Sequence, residues 1–200
     1  MAANAYLTAG EKGILGRARV GIAGAGGLGS NCAMHLVRAG VEHFTICDFD
    51  VVCESNLNRQ FYFRSQLGLP KVEALGANLR MIEPSLDLDL RSIRLDAANA
   101  EGVFAGCDVV VEALDSAEAK AMLIGALAPK GFRIVAASGI AGWGRSNGIR
   151  LRTAGANIVI AGDGATGVSS RTAPQSPRVG IAAAMQANAV AAWLLGESEL

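Results

Sequence analysis

Hydrophobic positions along the chain switch repeatedly between two periods. Over 19–24 (RVGIAG) apolar residues run together as in a buried strand, and beyond a glycine cluster Leu28, Cys32 and Leu36 recur at the interval of one helix face. Gly40 is placed to end that helix, and a second strand follows at 43–48 (HFTICD). Pro70 opens a helix with Val72, Leu75, Leu79 and Ile82 on one face, Pro84 ends it, and 86–93 alternates as a strand. Further strands are predicted at 108–114 and 132–138, around an alanine-rich helix from 117 to 129, and 147–152 with 156–161 predict a late antiparallel hairpin. This alternation predicts an α/β fold: a mostly parallel sheet with helices on both faces and late antiparallel strands.

The last forty residues divide sharply. Segment 162–178 (GDGATGVSSRTAPQSPR) is turn chemistry throughout and predicts a flexible loop, either a functional lid or a disordered tract. From 179 to 196 there are eighteen residues without a charge, near the minimum for a membrane span. Gln186 and Asn188 interrupt that run and alanine dominates it, so 179–195 reads as a closing helix buried in the core or between subunits, with no membrane partner.

Composition narrows the function classes. With 200 residues, 51% of them hydrophobic, the chain supports one full core, and 1–200 reads as a single domain. Eighteen basic residues cancel eighteen acidic ones, so long-range attraction to nucleic acid or an anionic membrane is excluded and any anion site must be local. The start, MAANAYLTAGEKG, lacks a basic and apolar leader, which predicts a cytoplasmic protein. Cys32, Cys47, Cys53 and Cys107 form no C-x-x-C pair, so no zinc is expected; they read as buried free thiols.

The glycines then carry chemistry. Gly24, Gly26, Gly27 and Gly29 fit G-x-G-x-x-G between a strand and a helix, where free N–H groups and the helix dipole favour a phosphate. Asp48 ends the next strand at the spacing where a carboxylate accepts from ribose hydroxyls, and together they point to an adenine nucleotide. A polar cluster follows where a dehydrogenase would enter its next helix: Ser55, Asn56, Asn58, Arg59 and Gln60. Arg59 offers planar donors for phosphate oxygens, and Asn56 and Asn58 offer neutral ones. Lys71 falls in the first turn of a helix, where positive charge is unfavourable unless an anion sits beside it; the alternative is a lysine with its head in water. Asp115 ends an apolar strand at the edge where ligands bind and is a candidate for magnesium, for capping the next helix, or for both.

In this order GAGGLGS, Asp48, SNLNRQ, PKVEA and ALDS resemble the ThiF/HesA/MoeB family, relatives of ubiquitin-activating enzymes, and PRVGIAAAMQAN is similar to that family's closing helix. Compact length and the LNRQFYF wording look most like its short ThiF form. The resemblance implies a Rossmann-like domain that uses ATP and Mg²⁺ to adenylate the C-terminal Gly-Gly carboxylate of a ubiquitin-like sulfur carrier, ThiS-like, in thiamine thiazole synthesis. It further implies Arg59, Lys71 and Asp115 as catalytic, Asp48 on the ribose, and a homodimer using the last helix. Another carrier, such as the molybdopterin synthase small subunit, or a noncatalytic nucleotide-binding partner or sensor of the same fold, stands as the alternative; an NAD oxidoreductase ranks below both, lacking a proton-moving histidine or Tyr-x-x-x-Lys pair. Three departures from the family stand out. Only Arg17 and Arg19 stand where relatives carry an arginine that crosses to the neighbouring subunit, the zinc C-x-x-C pairs are missing, and no cysteine follows Cys107. Activation without covalent capture is therefore expected, with sulfur delivered by another protein.

Overall fold

Both faces of the sheet are covered, and so its central strands are buried and mostly apolar on either side. A computed structural model describes residues 6–169 and 172–197. In chain order the elements are α1 (Ala9–Arg17), β1 (Arg19–Ala23), α2 (Gly27–Ala39), β2 (His43–Cys47), α3 (Lys71–Ile82), β3 (Asp87–Arg91), α4 (Ala100–Val103), β4 (Val109–Glu112), α5 (Ala117–Leu127), β5 (Ile134–Ala137), β6 (Arg150–Thr153), β7 (Ile158–Gly162) and α6 (Ser176–Leu195). The seven strands lie in the order β3-β2-β1-β4-β5-β7-β6, all parallel except the β6–β7 pair. The predicted Rossmann-like sheet and its late antiparallel hairpin are thus both present. The chain leaves β1 for β2 on one side and reaches β4 on the other, so a crevice opens between β1 and β4 at their carboxyl ends.

Alternation along the strands sorts the helices into two layers. Val109 and Val111 of β4 join Leu28 and Leu36 of α2, Leu75 of α3 and Val190 of α6 on one face. Val110 between them joins Val103 and Phe104 at α4 and Leu123 and Leu127 of α5 on the other. The apolar closing helix is long enough by length and composition to cross a membrane. It packs instead against α2 and the sheet, and the fully buried Gln186 donates through Nε2 to the carbonyls of Glu112 (3.0 Å) and Val135 (3.1 Å). A polar side chain stitched to two parallel strands marks this as a core helix.

Three details differ from expectation. Helix α1, whose Thr8–Glu11 capping box starts it, has too little apolar periodicity to be read from sequence. Helix α6 begins at Ser176, three residues before the expected 179, because Pro177 fits a first turn. Cys32 and Cys47 are buried as expected, but Cys53 is exposed and Cys107 half-buried: Cys53 sits in the polar insertion after β2, not in a strand or helix. In segment 162–178 the described residues are held by hydrogen bonds, among them Ala141 N–H to Thr166 O (3.2 Å) and Gly142 N–H to Ala173 O (2.9 Å); 170–171 lie outside the described residues.

One glycine sets how closely α2 can lie on the strand that feeds it. A Cβ at Gly29 would fall inside the carbonyl of Gly24 and 3.0 Å from Ile22 Cγ2. Gly29→Ala is expected to destabilise the protein by about 1–3 kcal/mol, the cost of overpacking. Thermal unfolding should show a lowered midpoint, whereas Gly125→Ala, with nothing within 4 Å of the added carbon, should not.

Candidate active site

After Ala23 the chain must turn at once into α2, and Gly24 does so at φ 98°, in the left-handed region that favours glycine. A Cβ there would stand 2.7 Å from the Ala113 carbonyl, so the turn lies directly against the end of β4. Gly26 caps α2 without a side chain, and the first turn carries no acidic residue, leaving its N–H groups and dipole uncompensated. Asp48, at the end of β2, accepts from the N–H of Ala25 (2.7 Å) and of Asp50 (2.8 Å). Burial pushes its carboxyl up from the usual range, opposed by Lys71 and by those two N–H groups.

The polar insertion is tied to the same turn. Ser30 Oγ donates to Gly26 O (2.6 Å) and accepts from Phe61 N–H (3.0 Å), while Asn31 Nδ2 donates to Gly27 O (2.6 Å) and Arg59 O (2.9 Å). The buried Tyr62 hydroxyl donates to Ala25 O at 2.7 Å. Arg59 is thereby fixed beside the glycine turn, where a Cβ on Gly27 would lie 3.3 Å from its Cγ.

A cavity of about 910 Å³ runs along the carboxyl edge of the sheet, from Ile93 and Arg94 past β2 and β1 to Ser138 and Thr166 beyond β5 and β7. Gly24, Gly26, Gly27, Asp48, Asn56, Arg59, Lys71 and Asp115 all line it. Gly29 and Asn58 do not: the first is a packing glycine, and the second donates to Pro174 O (3.4 Å) and accepts from Arg59 Nη1 (2.8 Å), holding the arginine rather than the cavity. Lys71 is not a solvated lysine. Its side chain is 7% exposed, and Nζ sits 2.8 Å from Asp50 Oδ2, so an acidic partner absent from the sequence reading neutralises it at the helix start. Arg59, half-buried, touches only neutral acceptors, Ser55 O (3.1 Å) and Asn58 Oδ1, with burial lowering its pKa and Asp115 opposing that. Asp115 is exposed on the wall, and the cap of α5 is Ser116, whose Oγ accepts from Ala119 N–H (3.1 Å), so the capping role is not that of Asp115.

Sequence reasoning missed several residues of this cavity. Arg94 and Phe49 line its far end, the guanidinium carbon 3.9 Å from the ring centroid. Lys120 lines the wall near Asp115, with Nζ 3.0 Å from both carboxylate oxygens of the fully buried Glu112. That burial pushes the Glu112 carboxyl up, against the lowering effect of Lys120. Arg94 stands just past the end of a predicted parallel strand, the same position that singled out Asp48 and Asp115, and could have been found by that rule. Among the described residues, no three His, Cys, Asp or Glu side chains converge as a metal cluster. Arg17 and Arg19 do not line the cavity; Arg19 pairs with Asp87 at the opposite edge of the sheet.

The arrangement offers an anion-binding turn, two cations and a ribose-type acceptor on one side, and a free carboxylate on the other. Because burial raises the Asp48 pKa, it takes up a proton on acidification before an ordinary carboxylate does. Calorimetric titrations with an adenine nucleotide should therefore weaken on going from neutral to mildly acidic buffer. Asp48→Asn should weaken binding at neutral pH by about 1.5–3 kcal/mol, the worth of a hydrogen bond to a charged group, and reduce that pH dependence to the part carried by the nucleotide's own phosphate.

Comparison with known proteins places the arrangement. The chain is 33% identical over 122 residues to the adenylyltransferase and sulfurtransferase UBA4 of Yarrowia lipolytica, covering 61% of this chain and 31% of that protein. It is 34% identical over 103 residues to the molybdopterin-synthase adenylyltransferase of Haemophilus influenzae, covering 51% of this chain and 42% of the relative. The matched region thus spans less than half the length of either relative. Among solved structures, the E. coli tRNA N6-threonylcarbamoyladenosine dehydratase TcdA in complex with ATP superposes with a TM-score of 0.88 at 19% identity, over 98% of this chain and 93% of that one, a likeness of fold. The model of the ThiF family matches residues 4–200, nearly the whole sequence. With that match spanning the glycine turn, the polar insertion and the closing helix together, the chain belongs to the ThiF family.

Proposed function

We propose that this protein is an adenylyltransferase that activates the C-terminal carboxylate of a ubiquitin-like sulfur carrier with ATP. The observation that carries the reading is the meeting of Arg59 and Lys71 with the side-chain-free start of α2 in one cavity, which continues past Asp115 to a second, glycine-rich wall. Relatives named as adenylyltransferases, a SAMP-activating enzyme E1 of Haloferax volcanii 39% identical over 99 residues (49% of this chain, 37% of that enzyme), and a fold neighbour crystallised with ATP support it.

Within this reading ATP lies along the carboxyl edge. The base is toward β3, the ribose on Asp48 and the phosphates on the glycine turn, and the carrier tail enters from the β5 and β7 side. A carboxylate oxygen of the tail attacks the α-phosphorus while the bond to the bridging oxygen of pyrophosphate breaks, giving an acyl-adenylate. No side-chain nucleophile takes part. The difficulty is the approach of two anions, and preorganised cations offset it. Arg59, without an acidic partner in direct contact, offers the larger unneutralised charge; Lys71 shares its charge with Asp50. Magnesium fits the chemistry of Asp115, since that ion is held by one or two carboxylates together with substrate phosphates, and it would neutralise charge on the departing pyrophosphate. A ThiS-like carrier in thiamine thiazole synthesis, a homodimer using α6 and a cytoplasmic location complete the proposal, supported by the LNRQFYF segment, the apolar final helix and the four free cysteines.

Exchange of radiolabelled pyrophosphate into ATP tests it. Exchange is expected only with a carrier whose Gly-Gly carboxylate is free, tried first with a ThiS-like carrier and then with a molybdopterin synthase small subunit. An amidated tail should give none. ATP binding without exchange for any Gly-Gly carrier would instead favour a noncatalytic nucleotide-binding partner. Arg59→Ala and Lys71→Ala are each expected to slow exchange by about 10²–10³, as for loss of an electrostatic donor at a reacting centre.

A further inference from the structure

The wall of the cavity remote from the nucleotide turn is built from two glycine-rich loops that leave β5 and β7 side by side. They are joined by the bonds Asp163 N–H to Gly139 O (3.1 Å), Gly164 N–H to Ser138 O (3.0 Å) and Ala141 N–H to Thr166 O (3.2 Å). Their approach leaves no room for side chains: a Cβ on Gly139 would lie 2.5 Å from Gly164 N and 2.8 Å from Ala165 N. Ser138, Gly139, Ile140, Thr166, Gly167 and Val168 present this wall to the cavity.

A single carboxylate organises it. Asp163 Oδ1 accepts from the N–H of Ala165 (2.8 Å) and Thr166 (2.7 Å), and Oδ2 accepts from the Thr166 hydroxyl and from Arg178 Nη2 (2.8 Å). Arg178, 2% exposed, also donates through Nη1 to Gly144 O, so one guanidinium grips both loops. A charge this deep is costly unless paired, and an apolar side chain would serve mere packing better. Arg178 stands in the first turn of α6, and its neighbour Val179 lies against the phosphate turn, where a Cβ on Gly27 would be 3.0 Å from Val179 Cγ1. One helical turn therefore contacts both walls of the cavity.

We propose that Arg178 and Asp163 are positioning residues that fix the carrier-tail wall at a set distance from the phosphate turn, so that the tail carboxylate arrives in line with the nucleotide. This rests on the adenylyltransferase reading, but part of its test does not. Asp163→Asn keeps the size and one acceptor oxygen; it is the primary variant, with Arg178→Met and the double variant beside it. In pyrophosphate exchange, KM for the carrier should rise about tenfold or more while KM for ATP changes by less than about twofold. The two substitutions should be non-additive, as expected of residues acting through one contact. Arg178→Lys, with a point charge in place of a fork, should restore only part of the loss. Equal rises in both KM values, or no rise in that for the carrier, overturns the proposal. Hydrogen exchange of the unliganded protein decides independently of any reaction. In Asp163→Asn the amides of 139–142 and 163–166 should exchange faster while those of 24–30 do not. Unchanged protection of both loops, or loosening spread evenly over the protein, overturns the clamp even if no carrier is ever adenylated; absence of exchange in the wild type alone counts against the adenylyltransferase reading.

Discussion

Everything in the cavity depends on backbone meeting backbone where no Cβ can intervene. Gly24 places its α-carbon against the carbonyl of Ala113, and Gly29 lies against the carbonyl of Gly24 itself. These contacts press α2 onto the crossover between β1 and β4, and that pressing aims the start of the helix at the crevice. An anion site made in this way needs no net charge on the protein. Its field comes from oriented N–H groups at the start of α2, whose first turn holds no acidic residue to cancel it.

The side chains around the turn follow from that local character. With as many acidic as basic residues overall, each cation in the cavity had to be placed individually. Lys71 is neutralised by Asp50 and Lys120 by Glu112, while Arg59 is held by a carbonyl and an amide oxygen and keeps its charge. The same economy explains why Asp48 can be buried: two backbone N–H groups and a nearby ammonium hold a carboxylate that burial alone would protonate more readily. Around the glycine turn the charges of Asp48, Arg59 and Lys71 are each fixed by a hydrogen bond, which leaves little reorganisation to be done there when an anion binds.

How much of this could be read from the chain depended on the range of the interaction. Strand and helix positions in the parallel core were legible because Val109, Val110 and Val111 must be buried on alternate faces, a constraint that acts residue by residue. That Gly24, Asp48 and Asp115 line the cavity was legible because the crevice of a parallel sheet opens just past its strands. Partners were not. Nothing local distinguishes Asp50, which binds Lys71 from across a twenty-residue excursion, or Ser116, which takes the capping role that Asp115 was equally suited to fill. Asn58 looked like a phosphate donor and instead braces Arg59, since its role depends on where Pro174 comes to rest. The exposed Cys53 was misjudged for a related reason: residue type alone predicts burial, but in the insertion it is the neighbouring Val52 that enters the core and Cys53 that is left outside.

Helix α6 shows why composition alone was a poor guide to its purpose. The uncharged run of eighteen residues from 179 to 196 suggested only something to hide, yet the polar residues of the helix define how it is used. Gln186 locks the middle of the helix to β4 and β5 through two carbonyls, fixing its rotation and height. With rotation and height fixed, Arg178 and Val179 at its start must fall where they do, one on the loops after β5 and β7 and the other on the glycine turn. An entirely apolar helix could bury the same area in several registers, because apolar contacts are tolerant of sliding, whereas hydrogen bonds to two named carbonyls are not. Gln186, one of the two polar interruptions that argued against a membrane span, is therefore what allows this helix to act as a spacer between the two walls of the cavity.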